Sequence, residues 1–162
     1  MDAETDVRKE QRSLIYMGID PGQKGGIALI SEATQESHIY SNDSLKAICE
    51  SLKGKDVMCV VEKVGAVHGN GIVSSFSFGQ SYGYILGVLE ANGIPYQLVS
   101  PRKWKNHFSL DNDKQKSIDT AKRLFPNVSL LPTDRCRKDS DGMAESLLMA
   151  LYAKRISSKQ ED

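Results

Sequence analysis

Two carboxylates stand at the ends of apolar runs. Residues 14–20 read LIYMGID and residues 57–62 read VMCVVE, each the pattern of a strand buried on both faces. If these strands lie side by side and parallel, Asp20 and Glu62 emerge at one edge of the sheet, where α/β proteins build their sites. A second pair, Asp141 and Glu145, is four residues apart and so shares one face of a helix. Leu148 and Tyr152 follow Glu145 at helical intervals, which places its carboxylate at the rim of the core, where it requires a partner. Four acids brought together repel one another unless cations neutralise them. Their hard oxygens suit Mg²⁺ or Mn²⁺. Two such ions roughly 3.5–4 Å apart can generate an attacking hydroxide and stabilise the leaving oxygen of a phosphodiester. Taken singly, the same acids also fit structural roles: Asp20 as a turn former before Pro-Gly, Glu62 in a salt bridge, Asp141 at a helix N-terminus. Spacing alone leaves both readings open.

The elements that must position these acids follow from periodicity. GQKGG leads from the first strand into IALIS (27–31), a β-hairpin, and ESHIY (36–40) adds an edge strand. Asn42 or Asp43 can cap a helix carrying Leu45, Ile48, Cys49 and Leu52, which Gly54 ends. A Gly-rich stretch (64–71) precedes a long helix over about 72–92, with Phe78, Tyr82, Ile85, Leu86 and Leu89 on one face. Gly79, Gly83 and Gly87 line that helix at every fourth residue. Each costs about 1 kcal/mol relative to Ala, so the line implies close approach by a second subunit, by nucleic acid or by the chain's own core. PYQLVS (95–100) is a further strand, Pro101 opens a short helical turn, residues 113–125 form an amphipathic helix stopped by Pro126, and 129–138 is a loop. The last helix begins near Ser140 with Ala144, Leu147, Leu148, Leu151 and Tyr152 as its apolar stripe. The order is that of an α/β fold.

At 162 residues and 40% hydrophobic content, the chain suits one domain. Its 21 basic and 21 acidic residues balance, but from residue 101 to 160 there are 13 basic against seven acidic, enough to present a basic face to phosphates. Cys49, Cys59 and Cys136 lack the spacing of a zinc site or disulfide framework, which fits an intracellular, reducing compartment. No apolar run reaches the length of a membrane span. Residues 1–12 mix acids and bases and read as a disordered extension without the character of a signal or transit peptide. Residues 13–158 then form the domain and 159–162 a tail.

Five motifs in order carry a resemblance: GIDPGQKGGIALI (18–30), VVEKVGAVHGNGIVSSFSFGQSYGYILGVL (60–89), PRKWKNHFSL (101–110), the DK that opens the helix ending in LFP (113–126), and KDSDGMAESLLMALY (138–152). Together they resemble the RuvC-type Holliday junction resolvases, most closely the phage-encoded and plant-chloroplast branch. GIDPG alone also opens the actin-like nucleotide-binding superfamily, but that fold demands a second phosphate-binding Asp-Gly loop and a longer chain.

The resemblance implies an RNase H-like fold, with a central mixed five-stranded sheet flanked by helices. It implies a homodimeric, structure-selective endonuclease that cleaves four-way junction DNA symmetrically with two Mg²⁺ or Mn²⁺ ions per site. Activity on other branched or flap DNA or on hybrids, or junction binding without cleavage, are the rival expectations. Asp20 matches the family's first-strand Asp, Glu62 its central-strand Glu, and Glu145 its last acid. Relatives often read K-D-H-G-x-A-E where this chain, one residue longer, has KDSDGMAE (138–145), so Asp139 and Asp141 compete for the fourth position. Helical geometry favours Asp141, since Asp139 lies about 120° off the face of Glu145. Lys105 resembles a lysine placed near the scissile phosphate. Phe76 and Phe78 sit where the family reaches into the junction centre, although Phe78 equally suits the core. Arg102, Lys103, Lys105, Lys114, Arg137 and Lys138 supply the basic face. His68 reads as a solvated loop residue and Trp104 as a core anchor.

Overall fold

Alternation along the strands decides the architecture. In a computed structural model that describes residues 14–66 and 69–159, the chain forms β1 (Ile15–Asp20), β2 (Gly26–Ser31), β3 (Ser37–Tyr40), a 3-10 turn (Asn42–Ser44), α1 (Leu45–Ser51), β4 (Val57–Glu62), α2 (Ile72–Ala91), β5 (Tyr96–Val99), α3 (Pro101–His107), α4 (Lys114–Leu124) and α5 (Asp141–Ser158). The sheet order is β3-β2-β1-β4-β5, antiparallel through β3, β2 and β1 and parallel through β1, β4 and β5. This is the mixed five-stranded sheet expected from the sequence. Residues 1–13, 67, 68 and 160–162, and with them the proposed N-terminal extension, His68 and most of the proposed tail, lie outside the described residues.

Successive side chains in a strand point to opposite faces. Ile15, Met17 and Ile19 of β1 and Cys59 and Val61 of β4 pack with α1 and α2 through Leu45, Ile48, Ile85 and Leu89. Tyr16 and Val60 pack on the other face with Trp104, Leu147, Leu148 and Tyr152. Asp20 and Glu62 share the parity of Tyr16 and Val60, so both fall on the face that α5 covers. Buried on nearly every side from Gly142 to Ala150, α5 is a central helix, as its near-continuous apolar sequence requires.

Two glycines let α5 seat that closely. A Cβ at Gly18 would lie 2.2 Å from the Ser146 carbonyl oxygen and 2.3 Å from the Ala150 nitrogen. At Gly142 it would lie 2.0 Å from the Lys24 carbonyl oxygen. Gly79, Gly83 and Gly87 behave differently: among the described residues, nothing beyond the helix's own backbone and their chain neighbours comes within 4 Å of a Cβ at any of them. The chain's own core is therefore not what approaches them, and the line faces outward from α2. The expected capping of α1 by Asn42 or Asp43 is also corrected. The 3-10 turn at Asn42–Ser44 precedes the helix, no side chain caps either element, and the Asn42 amide is used elsewhere. Among the described residues no helix is long and apolar enough to cross a membrane.

Gly18→Ala should destabilise the fold by about 3 kcal/mol, because the clash is with helix backbone and not with a movable side-chain tip. Gly87→Ala, which meets no other element of its own subunit, should be neutral or stabilising by about 1 kcal/mol when measured at protein concentrations low enough to leave the subunit on its own. Urea unfolding of both variants checks the contrast, and equal stabilities would contradict the seating of α5 on β1.

Candidate active site

Because β1 and β4 are parallel neighbours with Ile19 opposite Val61, the next residues, Asp20 and Glu62, finish side by side at the C-terminal edge. The turn after Asp20 is doubly held. The Gly22 N–H donates to Asp20 Oδ1 at 2.9 Å, and the Asn42 side-chain amide donates to the carbonyls of Asp20 and Gly22 at 2.9 and 3.1 Å. Glu62 Oε2 accepts from Trp104 Nε1 at 2.8 Å. The first turns of α5 bring the other two acids. Ser140 caps that helix by accepting from the Met143 N–H, and Asp141 and Glu145 follow on its inward side. Glu145 is only 8% exposed and pairs with Lys105 Nζ at 3.3 Å, the partner its burial demands. Asp141 Oδ2 pairs with Lys114 Nζ at 2.7 Å.

Electrostatics tie the four acids into one group. Burial pushes the Asp20 carboxyl up to about 7; the Gly22 N–H opposes this, and the charges of Glu62, Glu145 and Asp141 add to it. Glu62 is also raised, first by burial and then by Glu145, against the Trp104 hydrogen bond and the Lys105 charge. Burial pushes Asp141 upward as well, but the hydrogen bond and charge of Lys114 outweigh it and leave this carboxyl below its usual value. Lys114 is raised in turn by its hydrogen bond to Asp141 and that residue's charge, with smaller contributions from Glu145 and Asp20.

Such a donor set fits a divalent cation: all hard oxygens, mutually repelling, and already drawing ammonium groups. The fit is chemical and not preassembled. Among the described residues no three His, Cys, Asp or Glu side chains converge closely enough to grip an ion. Instead one oxygen of each acid is engaged by an N–H or an ammonium, and the lysines stand where cationic charge is wanted.

The other residues singled out by sequence are spread around this edge. Asp139 pairs with Lys122 at 2.7 Å, whereas Asp141 is among the charges that raise Asp20. Arg102 and Lys103 on α3, Lys114 on α4, and Arg137 and Lys138 before α5 are exposed. Phe76 is 68% exposed beside the exposed Ile72 and Val73, whereas Phe78 is half-buried and stacks on Tyr82 with ring centroids 6.5 Å apart. A groove of about 1010 Å³ runs from Pro21–Gln23, beside Asp20, along Ser74, Ser77 and Ser81 of α2. Besides the lysines' choice of acids, sequence reasoning missed two hydrogen-bonding contacts here. Trp104 is a core residue, as expected, but its N–H reaches Glu62; a buried indole must place its donor somewhere, so the signal existed. Asn42 offered only its preference for turns, and nothing local reveals a partner 22 residues away.

The sheet order, the acids at the ends of adjacent parallel strands and the covering C-terminal helix define an RNase H-like fold. Its structural neighbours agree: Thermus thermophilus RuvC in complex with a Holliday junction substrate matches with a TM-score of 0.59 and 14% identity over 91% of this chain and 96% of that one. A second Thermus thermophilus RuvC structure matches with a TM-score of 0.55 and 14% identity over the same shares. No protein-family model and no curated protein sequence matches the chain. The fold is thus RuvC-like.

The raised Asp20 carboxyl has a pH signature. Its folded-state value of about 7 lies above the ordinary 3.8, so between these pH values the folded protein keeps a proton that the unfolded chain has lost. The stabilisation is full below about pH 4 and is lost as pH rises through 7. Asp20→Asn, which keeps an acceptor for Gly22, should therefore exceed the native chain in stability at pH 8 in chelator by about 2–4 kcal/mol, at roughly 1.4 kcal/mol per unit. The gap should close near pH 4. A urea-denaturation difference independent of pH would contradict this.

Proposed function

We propose that the protein is a divalent-metal-dependent endonuclease that resolves four-way DNA junctions as a homodimer, akin to the phage-encoded and plant-chloroplast resolvases and working inside the cell. The observation that carries the reading is the mutual electrostatic field of Asp20, Glu62, Asp141 and Glu145 at one sheet edge, with Lys105 and Lys114 paired to two of them. Bound Mg²⁺ or Mn²⁺, two ions per site, would supply the activated water and the charge stabilisation for phosphodiester hydrolysis. Asp20, Glu62, Asp141 and Glu145 are the residues to hold them. Asp141 is preferred to Asp139 because it shares the helix face of Glu145 and its charge acts on Asp20.

The chain's own groups do the remaining work. Lys105 and Lys114, already at the acids, are placed to exchange a carboxylate for a phosphate oxygen and to offset the charge that develops on it. Arg102, Lys103, Arg137 and Lys138 meet backbone phosphates of the arms. Phe76 projects into solvent, where an aromatic ring can wedge between unstacked bases, while Phe78 is half-buried and stacks on Tyr82. The outward glycine line of α2 offers a second copy a surface that lets backbones approach closely. The RuvC–junction complex among the structural neighbours supports the choice of substrate.

Cleavage of a mobile four-way junction, a duplex, a flap and an RNA–DNA hybrid, in Mg²⁺, Mn²⁺ and chelator, tests the reading. The junction should be cut preferentially, in paired nicks, and only with metal. Asp20→Asn and Glu62→Gln should bring cleavage to background with junction binding retained. Full activity in either variant would remove the carboxylates from the chemistry, and binding without cleavage by the native chain would leave a junction-binding protein.

The native chain should sediment at twice its 17.9 kDa mass. Gly83→Leu should sediment as a monomer, and its unfolding temperature should no longer rise with protein concentration as the native dimer's does. A Gly83→Leu protein that stays dimeric would move the subunit contact off this face of α2.

A further inference from the structure

Trp104 is the chain's single tryptophan and is fully enclosed, at 0% exposure. Its donor goes to Glu62 Oε2 at 2.8 Å, while Lys105 Nζ stands 5.4 Å from its ring centroid and 3.3 Å from Glu145. One ring thus touches two arms of the acid cluster. Its own position is fixed by the backbone around it. Val99 pairs with Glu62 in the sheet, and the Val99 carbonyl accepts from the Lys63 N–H at 2.8 Å. α3 then starts at once, with the Ser100 hydroxyl capping the Lys103 N–H and Pro101 in its first turn. The indole is therefore carried on a helix that begins beside the carboxylate it holds.

We propose that Trp104 is a positioning residue that holds Glu62 as a one-oxygen ligand and so biases the site toward Mg²⁺ and against Ca²⁺. This rests on the metal-dependent reading above. An indole N–H donates and cannot accept, and packing on all sides leaves it no alternative orientation. With one lone pair of Oε2 taken by the indole, Oε1 is the less encumbered oxygen to meet a cation. Ca²⁺ takes six to eight oxygens and commonly engages carboxylates through both, whereas Mg²⁺ demands a near-ideal octahedron of single oxygens at close range. A carboxylate limited to one oxygen suits the smaller ion. The donor is also neutral, so it orients Glu62 without competing for the cation's place, as a lysine there would.

The test is calorimetric titration of the full chain with Mg²⁺ and, separately, with Ca²⁺. The native protein is compared with Trp104→Phe and with a protein carrying β-(3-benzothienyl)alanine at position 104, which keeps the ring shape and lacks the N–H. A single tryptophan makes that replacement unambiguous, and it decides the matter if Trp104→Phe fails to fold. Mg²⁺ affinity should fall about tenfold or more in the altered proteins, the usual consequence of removing a residue that orients a ligand. Ca²⁺ affinity should fall less, narrowing the ratio between the ions. A benzothiophene protein with native affinities for both ions would overturn the positioning role, and equal losses for the two would overturn the bias toward Mg²⁺. A native chain that takes up neither ion would overturn the metal-dependent reading, and this proposal with it.

Discussion

Everything at the candidate site depends on how closely α5 lies on β1. The helix meets the strand at Gly18 and the β1–β2 turn at Gly142, where no side chain could intervene. Because α5 is a rigid rod, those two contacts fix its first turns relative to the end of β1, and so set Asp141 and Glu145 relative to Asp20. A helix held off by one methyl group would carry both acids away from the strand edge. The apolar residues from Leu147 to Tyr152 supply the burial that draws the helix in; the glycines determine how far in it comes.

The site so formed is charged on both sides. Each carboxylate has an N–H or ammonium against it, and the two ion pairs differ in character. Lys105–Glu145 is nearly enclosed and Lys114–Asp141 is largely open to water, so the second is much the more readily broken. The Asp141 edge is thus where the cluster opens first, and the Glu145 edge is where its geometry is kept.

Much of this was legible in the sequence. Apolar runs ending in Asp20 and Glu62 gave the strands and their functional ends, helical spacing paired Asp141 with Glu145, and the punctuation at Gly54, Pro101 and Pro126 bounded the helices. These are local signals, carried by residues close together in the chain. The contacts that escaped are long-range and depend on rotamers: Asn42 reaching back to the Asp20 carbonyl, Trp104 finding Glu62, and Lys105 and Lys114 choosing their acids. The glycines of α2 show the same limit. Their line was visible, but only the packed structure shows that the chain's own core is not its partner.

The ion pairs also bear on why a chain read as acting on DNA carries no net charge. Basic groups neutralised by acids beside them do not add to the long-range attraction of a polyanion, nor release counterions from it, until those acids find other partners. Lys105, Lys114, Lys116 and Lys122 are held in this way, which leaves the exposed Arg102, Lys103, Arg137 and Lys138 to carry that attraction. The pull the chain exerts on any polyanion is therefore the work of part of its basic residues, and it would grow only where other partners draw the acids away.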